Sequence, residues 1–419
     1  MGSTEQSKNA KRKSSFDDLP PETVLEILLK LPVKSIIRST LVNKTWHSLI
    51  KNPDFISAHI QRSVSCCDEE SVVLLVPCID SYHKYCSLVS TDTSSLIQTF
   101  EIPFNTLHSG AVYASLHGLV LFSTRSESYL WNPSLRTRRA LVTSNPFDKR
   151  AYRRSTQIIL AGLGFHKPTN DYRVVMVFDG VNEKGKVFEE VAPKAEIYSL
   201  RENAWKEIKN SNVPRLIREK GTYVDGKFYW LGTIPPETYN DLYPSDLLYS
   251  HDPEQLRILS FNFDTEEFGE LLKLPDEVSS CVGQAAKFKL MEFEGSLCVC
   301  VYDIQYDSPS QLFCIWSMRS ENGVISWSLR FRFLLKEGES RPLNITKSGS
   351  LIIQSYGDYH RGSSARIFSC NLKSIHDRDI GFSKFEYTKY WVISTVDTHF
   401  MESLVMYEGD QKSLLKSAE

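Results

Sequence analysis

The stretch of sequence that decides the fold lies near the amino end, where residues 16–60 read FDDLPPETVLEILLKLPVKSIIRSTLVNKTWHSLIKNPDFISAHI. Its apolar residues recur at intervals of three and four, which is the period of an α-helix with one buried face. Prolines stand where such helices begin or end, because proline lacks the N–H that a helix interior needs. Asn43 can cap a further helix. The stretch therefore predicts four short helices.

This predicted helical cluster holds more apolar side chains than four short helices can enclose, because a module of that size builds only a small core. We expect the surplus to form a patch that a partner protein covers. The surplus residues are Leu19, Ile27, Leu28, Leu31 and Val33. The same pattern also fits a helical subdomain packed on the rest of the chain, and the pattern alone leaves both interpretations open.

The order and spacing of many positions in this stretch resemble a known motif, the F-box. The matching positions are Leu19-Pro20-x-Glu22, Glu26-Ile27-Leu28, Leu31-Pro32-Val33-Lys34-Ser35, Val42-Asn43-Lys44-x-Trp46, Leu49-Ile50 and Pro53-x-Phe55. The sequence departs from the common plant pattern at Ser39-Thr40-Leu41. The resemblance implies docking onto a Skp-family linker protein and, through it, onto a cullin-based ubiquitin ligase. The linker contacts that it implies are Leu19, Pro20, Ile27, Leu28, Leu31, Pro32, Val33, Ile36 and Trp46.

Composition narrows the classes of function. The 419 residues carry a formal net charge of −2, so no overall field points to nucleic acid, and 41% of them are hydrophobic, which is ordinary for a globular protein. No apolar run approaches the ~20 residues that span a bilayer, and the amino end lacks the apolar core of a secretory signal, so we expect no membrane contact. The nine cysteines include no C-x-x-C pair, so we expect no metal and no cofactor, and instead buried thiols in a reducing compartment.

From residue 72 onward the helical period gives way to runs in which every second residue is apolar, as at 259–264, and these runs predict half-buried β-strands. A unit made of a tight turn that ends in glycine, followed by an apolar strand, occurs at His117-Gly118, Asp225-Gly226, Glu294-Gly295 and Ser348-Gly349. Glycine supplies the positive φ that a two-residue hairpin turn demands. The unit returns at roughly 50 residues, as in kelch-type propellers.

We therefore predict a small all-α domain followed by an all-β propeller of about six kelch-type blades. Because ring closure removes exposed strand edges, we expect the last strands, 391–394 and 404–407, to pair with 72–76. The predicted boundaries are a basic tail at 1–15, the helical F-box domain at 16–62, a linker at 63–71, the propeller at 72–408 and a second tail at 409–419. The basic residues of the first tail also fit a nuclear-import signal.

The strand region is similar to the F-box-associated domain of plant F-box proteins. The residues that carry this resemblance are Tyr129-x-Trp131-Asn132-Pro133-Ser134-x-Arg136, Gly162-x-Gly164-Phe165, Asp171-Tyr172-x-Val174-Val175, Ile197-Tyr198-Ser199-Leu200 with Trp205, and Phe263-Asp264-x-x-x-Glu267-Phe268 before Leu274-Pro275. The resemblance implies that the propeller recruits the substrate. Gly162-x-Gly164 is not a phosphate cradle, because it does not open a helix and lacks a third glycine at the right offset.

One cluster of positive charge is a candidate substrate site. Arg136, Arg138 and Arg139 lie on a predicted hairpin, and the loop that follows holds Lys149, Arg150, Arg153 and Arg154. The guanidinium group binds phosphate or carboxylate through two parallel hydrogen bonds. We hypothesise that the cluster grips an acidic or phosphorylated segment of a substrate. The alternative is an exposed, solvated loop.

The expected function is that of the substrate-recognition subunit of a Skp–cullin–F-box ubiquitin ligase, located in the cytoplasm or the nucleus. The propeller would recruit a target protein for ubiquitination and proteasomal degradation. We find no catalytic motif, so we expect a non-catalytic adaptor. The alternative is a non-degradative scaffold that uses the propeller to bind partners, and an enzyme with a site at the central channel ranks third. The target stays unidentified, because specificity lies in loops such as 235–252 and 303–311.

Overall fold

In the computed structural model the described residues run from 19 to 406, with gaps. The gaps are 67–71, 78–84, 92–94, 104–110, 124–126, 143–156, 180–192, 210–212, 215, 219–220, 235–254, 282–285, 304–309, 337–339, 356–365, 375–392 and 399. The predicted tails at 1–15 and 409–419 and the predicted substrate residues Arg150, Arg153 and Arg154 therefore lie outside the described residues.

Four helices form the amino-terminal domain, as the sequence predicts: α1 (Pro21–Leu29), α2 (Val33–Ser39), α3 (Lys44–Lys51) and α4 (Pro53–Cys66). Pro20 and Pro32 directly precede the first two helices, where a missing N–H has no consequence. The Asn43 side chain accepts a hydrogen bond of 2.8 Å from the backbone N–H of Trp46 and so caps α3. Short-range sequence signals therefore account for where these helices begin.

Helix α4 extends further along the chain than the predicted helical domain. It ends at Cys66, so residues 63–66 of the predicted linker are helical. The remainder of that linker, 67–71, lies outside the described residues. The helix therefore delivers the chain almost directly to the first strand.

Twenty-five strands follow in the described part of the chain. In chain order they are β1 (Val72–Pro77), β2 (Tyr85–Ser90), β3 (Leu96–Glu101), β4 (Ala111–Leu116), β5 (Leu119–Ser123), β6 (Ser128–Asn132), β7 (Thr137–Leu141), β8 (Gln157–His166), β9 (Asp171–Asp179), β10 (Lys194–Ser199), β11 (Ala204–Glu207), β12 (Ile217–Arg218), β13 (Thr222–Val224), β14 (Lys227–Thr233), β15 (Leu256–Asn262), β16 (Glu267–Phe268), β17 (Leu272–Lys273), β18 (Ala286–Phe293), β19 (Ser296–Asp303), β20 (Gln311–Glu321), β21 (Val324–Leu335), β22 (Ser340–Ile345), β23 (Ser350–Ser355), β24 (Arg366–Asn371) and β25 (Ile393–Asp397). A short helix, α5 (Asp276–Ser279), lies between β17 and β18.

These strands form six antiparallel sheets, which are the blades of a propeller. Blade 1 holds β25 with β1–β3, blade 2 holds β4–β7, blade 3 holds β8–β11, blade 4 holds β12–β17, blade 5 holds β18–β21 and blade 6 holds β22–β24. The first strands of successive blades contact one another in a closed ring, from β25 through β4, β8, β13, β18 and β22 back to β25. The predicted six-bladed propeller is therefore confirmed.

The ring closes in blade 1, where the last strand pairs with the first. Leu74 of β1 lies opposite Asp397 of β25 in an antiparallel ladder. This pairing confirms that the end of the chain closes the propeller, which leaves no open sheet edge at the junction. The second predicted closing strand, 404–407, is wrong. Its described residues form no strand, because Leu404 packs into the helical domain instead.

The predicted glycine turns are confirmed by their backbone angles. Gly118, Gly226, Gly295 and Gly349 have φ values of 79°, 79°, 72° and 87°. A side chain with Cβ rarely adopts this left-handed region, so glycine is the natural residue at each turn. A fifth turn of this kind, Asn322-Gly323 between β20 and β21, was not predicted.

The Gly162-x-Gly164 motif serves packing between blades. A Cβ added to Gly164 would lie 2.1 Å from the ring of Phe263, and one added to Gly162 would lie 2.8 Å from the ring of Phe228. Phe228 belongs to blade 4, Phe263 directly follows its strand β15, and both rings are buried. The two glycines therefore let the first strand of blade 3 pack directly on aromatic rings, a close contact that a larger residue would prevent.

Candidate protein-docking site on the helical domain

The helical domain is built around a core that includes one residue from the other end of the chain. The buried members of this core are Val24, Leu28, Val33, Ile36, Ile50, Phe55 and Leu404. Leu404 follows the closing strand of the propeller and has no exposed surface. The helical domain is therefore completed by a residue that the propeller holds in place.

Three of the nine predicted linker contacts belong to this core. Leu28, Val33 and Ile36 are at most 1% exposed, so they support the surface from beneath and offer no area to a partner. The helical period correctly marked them as one apolar face. Periodicity does not say whether a partner or the chain itself buries that face, and here the helices and Leu404 bury it.

The other six predicted contacts keep exposed surface: Leu19, Pro20, Ile27, Leu31, Pro32 and Trp46. Leu41 and Val42, between α2 and α3, were not among the predicted contacts, and they are 86% and 60% exposed, against 36% for Leu19. The available signal was a pair of apolar residues placed directly before a helix cap. We call these eight residues the docking residues.

The helical domain is anchored to three blades by hydrogen bonds. The Asn170 amide in blade 3 donates to the Ser57 hydroxyl of α4 at 2.6 Å. The Lys34 ammonium of α2 donates to the Gln98 side chain in blade 1 at 2.5 Å. On a third side, the Lys347 ammonium after β22 donates to a backbone carbonyl near the end of α4 at 3.3 Å. These contacts fix which side of the helical domain faces the propeller.

A buried junction reinforces this anchoring, and we call its segment, residues 400–406, the C-terminal clasp. The Asn132 side chain has no exposed surface and donates to the carbonyls of Ser403 and Val405 at 3.0 and 2.9 Å. Its own carbonyl accepts from the backbone N–H of Leu135, whose side chain packs on the helical core. Asn132 therefore ties blade 2, the clasp and the helical domain together.

His59 shapes the surface near one docking residue. Its Nε2 lies 3.2 Å from the backbone carbonyl of Leu31, and its ring stacks on Phe55. Burial lowers the pKa of the imidazole, and the nearby Arg62 lowers it further, so the ring is neutral at physiological pH. The neutral ring donates to Leu31 as the tautomer protonated at Nε2, and this contact holds the end of the α1 region in place.

The two faces of the propeller differ in what they contact. Because strands alternate in direction, the connections from the first to the second strand of blades 2 to 6 share one face. That face meets the helical domain, as the contacts of Asn170 and Lys347 show. The strand ends that flank 143–156, 235–254 and 304–309 lie at the opposite face. The loops predicted to carry specificity are therefore attached at the face remote from the helical domain.

Two arginines of the predicted positive cluster, Arg138 and Arg139, link neighbouring blades of the propeller, whereas Arg136 is exposed. Arg139 donates to the Leu200 carbonyl at 2.9 Å and so links blades 2 and 3. Arg138 donates to the Pro103 carbonyl and lies over the Tyr129 ring at 5.7 Å. Their guanidinium groups are thus engaged with carbonyls and a ring. The proposed anion site rests on the arginines at 150–154, which lie outside the described residues.

Among the described residues, no three His, Cys, Asp or Glu side chains lie close enough together to hold a metal ion. No helix among these residues has the length and apolar character to cross a bilayer. Cys298 and Cys300 are buried, as predicted, and burial raises the pKa of the Cys298 thiol to about 11.

Two family models match the two parts of this architecture. The model of the F-box domain matches residues 16–57, and that of the F-box associated beta propeller domain matches residues 88–359. The chain is 25% identical over 333 residues to F-box protein CPR1 of Arabidopsis thaliana, covering 75% of this chain and 72% of that protein. An F-box/kelch-repeat protein of the same plant is 25% identical over 332 residues, covering 74% and 78%. A solved structure of a hypothetical selenium-binding protein from Sulfolobus tokodaii aligns with a TM-score of 0.40 and 10% identity over 75% of this chain and 74% of that one. The chain belongs to the family of F-box proteins that carry an F-box associated beta propeller domain.

Proposed function

We propose that the chain is the substrate-recognition subunit of a Skp–cullin–F-box ubiquitin ligase. The helical domain docks on a Skp-family linker protein, which binds a cullin, and the propeller recruits a target for ubiquitination and proteasomal degradation. Family membership supports an adaptor role of this general kind. The observation that carries the proposal is that the F-box helices, although anchored to the propeller, leave Leu41 and Val42 uncovered.

An adaptor of this kind acts by proximity. Holding a target beside a ubiquitin-charged enzyme raises the effective concentration of its lysines, so the adaptor itself needs no catalytic residue. The clasp and Asn132 join the helical domain to the propeller through buried contacts. Such a junction favours a fixed distance between the docked linker and the remote face of the propeller. We therefore propose a non-catalytic role.

The linker contact is tested by placing charge on the docking residues. We expect Leu41→Asp with Val42→Asp to weaken binding to a purified plant Skp-family linker by about a hundredfold, because burying unpaired carboxylates in an apolar interface is unfavourable. Binding is measured by calorimetry with the full chain. Leu96→Asp on β3 is the matched control, since Leu96 is 51% exposed in the propeller.

The interpretation of this test depends on choosing exposed positions. Truncating Leu28 removes a fully buried side chain, which destabilises a protein by about 2–5 kcal/mol. Loss of binding in Leu28→Ala would therefore report unfolding of the helical domain as readily as a lost contact. Undiminished linker binding by the doubly charged variant, with its melting temperature unchanged, would contradict the proposed docking surface.

Three finer points stay predictions. The spacing of the glycine turns and the name of the F-box/kelch-repeat relative support blades of the kelch type. A location in the cytoplasm or the nucleus is expected from the family. The hypothesis that Arg150, Arg153 and Arg154 grip an acidic or phosphorylated segment predicts an altered set of bound targets when all three are replaced by Glu.

A non-degradative scaffold remains the alternative, and it predicts that loss of the chain leaves the lifetime of every bound target unchanged.

A further inference from the structure

Exposed apolar side chains gather on one strand of blade 5. Strand β21 carries Val324, Ile325, Leu329 and Leu334, which are 68%, 39%, 43% and 58% exposed. Single exposed apolar residues are normal on a protein surface, whereas several on one element mark a site of interaction. The exposed apolar surface of β21 therefore indicates a second interaction site, apart from the docking residues of the helical domain.

Strand β21 is also an unusually long edge. It lies last in the order of its sheet, and β20 is the one described strand that pairs with it. It has 12 residues, whereas the outermost strands β7 and β11 have 5 and 4. The outer side of β21 thus presents a long row of backbone donors and acceptors, which is the template that an added strand uses.

The tip of this hairpin extends past the rest of blade 5. Pairing between β19 and β20 stops at Ser317, whereas pairing between β20 and β21 continues to Glu321 and Val324. The tip of the hairpin therefore consists of only two strands, β20 and β21. A two-stranded ribbon gains stability when a further strand pairs with it.

The side chains beside the edge make an apolar stripe. Ile325, Trp327 and Leu329 alternate along β21 and so point to the same face of the sheet. Trp327 packs partly on the core shared by blades 4 and 5, and the two neighbours on either side of it remain exposed. An added strand whose apolar residues face this stripe would cover it.

The charge of the hairpin identifies the kind of strand that fits. Residues 311–335 include Arg319, Arg330 and Arg332 but only one acid, Glu321. Arg330 pairs with Glu294 in the turn between β18 and β19 at 2.8 Å, so the hairpin's excess positive charge comes from Arg319 and Arg332, with a net charge of 2 − 1 = +1. A second copy of the chain would bring the same arginines together, and like charges across a strand pair are destabilising. A segment that alternates apolar and acidic residues meets both the stripe and the charge.

We propose that the edge of β21 binds an extended, alternating apolar and acidic segment of a partner protein as a fifth strand of blade 5. The proposal rests on the proposed function in one respect, since the segment would belong to the protein that the propeller recruits. Backbone hydrogen bonds along the edge supply affinity, and the apolar stripe and the arginines supply selectivity.

The test uses the full chain and a fluorescent peptide of about ten residues that alternates valine and glutamate. We expect saturable binding at about 0.15 M salt, read by anisotropy. Methylating the backbone nitrogens that face β21 removes the donors and should weaken binding by about tenfold or more. Replacing every glutamate by lysine should weaken it similarly, because the arginines then repel the peptide.

Matched variants locate the peptide on the strand. Ile325→Glu with Leu329→Glu should abolish binding, whereas Leu96→Glu with Ile97→Glu should leave it unchanged, since those β3 residues are 51% and 48% exposed on another blade. Thermal unfolding confirms that both variants fold, and linker binding measured in parallel keeps failure of this proposal separate from failure of the F-box proposal. Absence of peptide binding, equal loss in both variants, or indifference to backbone methylation would overturn it. If sedimentation shows that the chain is a dimer and that only the β21 variant is a monomer, the occupant of the edge is a second copy of the chain, and the proposal of a partner segment is overturned.

Discussion

Cys281 differs in its surroundings from the other described cysteines. It is half-buried, whereas Cys86, Cys298, Cys300 and Cys370 are buried. Hydrogen bonds from the Cys314 thiol and, to a smaller extent, the Trp316 indole lower the pKa of Cys281 to about 7, against the opposing effect of burial. The sequence predicts cysteines that behave as small buried hydrophobes. It could not reveal this exception, because Cys281 follows helix α5 and Cys314 lies in β20, so only the folded blade brings the two thiols together.

This environment predicts selective alkylation of Cys281. A lowered pKa places more of the thiol in its reactive thiolate form near neutral pH, so iodoacetamide should modify Cys281 before any other described cysteine. The rate should rise as the pH increases through about 7 and then level off. Mass spectrometry of digested peptides measures the order of labelling. Cys314→Ala should return the pKa toward its ordinary value and slow the reaction at pH 7, and equal labelling of Cys281 and Cys86 would contradict the prediction.

The predicted linker contacts show which properties of a residue the sequence can predict and which it cannot. The helical period placed Leu28 and Leu31 on one apolar face, and the structure agrees that both pack toward the core. It did not separate Leu28, which is fully buried, from Leu31, which keeps exposed surface. Leu28 shares its buried core with Leu404, and the Leu31 carbonyl contacts the His59 ring. Neither contact is local in sequence, so the helical period could not predict it.

At the scale of the element, the predictable features are those that the local backbone decides. The four glycine turns were recognised because a tight hairpin turn needs positive φ at a fixed position. Three of them are two-residue turns, whereas Thr346 and Ser350 close a three-residue loop that ends at Gly349. The length of β21 was not predicted, since the length of a strand depends on the neighbour with which it pairs. The packing role of Gly164 was not visible either. Its neighbour Phe263 is almost a hundred residues away, and only the ring of blades brings the two together.

Alanine substitutions should distinguish a glycine needed for close packing, Gly164, from a glycine needed for its backbone angle, Gly323. Gly164→Ala should lower the free energy of unfolding by about 2–3 kcal/mol, because its Cβ would overlap the buried Phe263 ring and the core would have to shift. Gly323→Ala should lower it by about 1 kcal/mol, since no atom lies within 4 Å of the added Cβ and only the φ of 79° is unfavourable. Chemical unfolding of the full chain measures both. A larger effect at Gly323 than at Gly164 would show that the contact between blades 3 and 4 is loose.

At the scale of the whole molecule, the sequence predicts two successive domains. The structure shows that one segment, which follows the propeller, belongs to both of them. Strand β25 closes the propeller, and the clasp that follows it enters the helical core. The repeat spacing supported the closed ring. It gave no indication that Leu404 would leave the sheet, because an isolated apolar residue near a chain end fits a strand as well as a loop.

This shared segment predicts that two truncations of the full chain will differ. Ending the chain after Met406 keeps the clasp, so α1 and α2 should exchange their amide hydrogens as slowly as in the intact chain. Ending it after Thr398 keeps β25 but removes Leu404 and the partners of Asn132. The core of the helical domain then loses a fully buried leucine, and α1 and α2 should exchange at least about tenfold faster, because local opening becomes easier as buried contacts are lost. The strands of blades 3 to 5 should keep their protection in both proteins, since the ring remains closed by β25. Equal protection of α1 in the two truncated chains would mean that the helical domain holds its fold without the clasp.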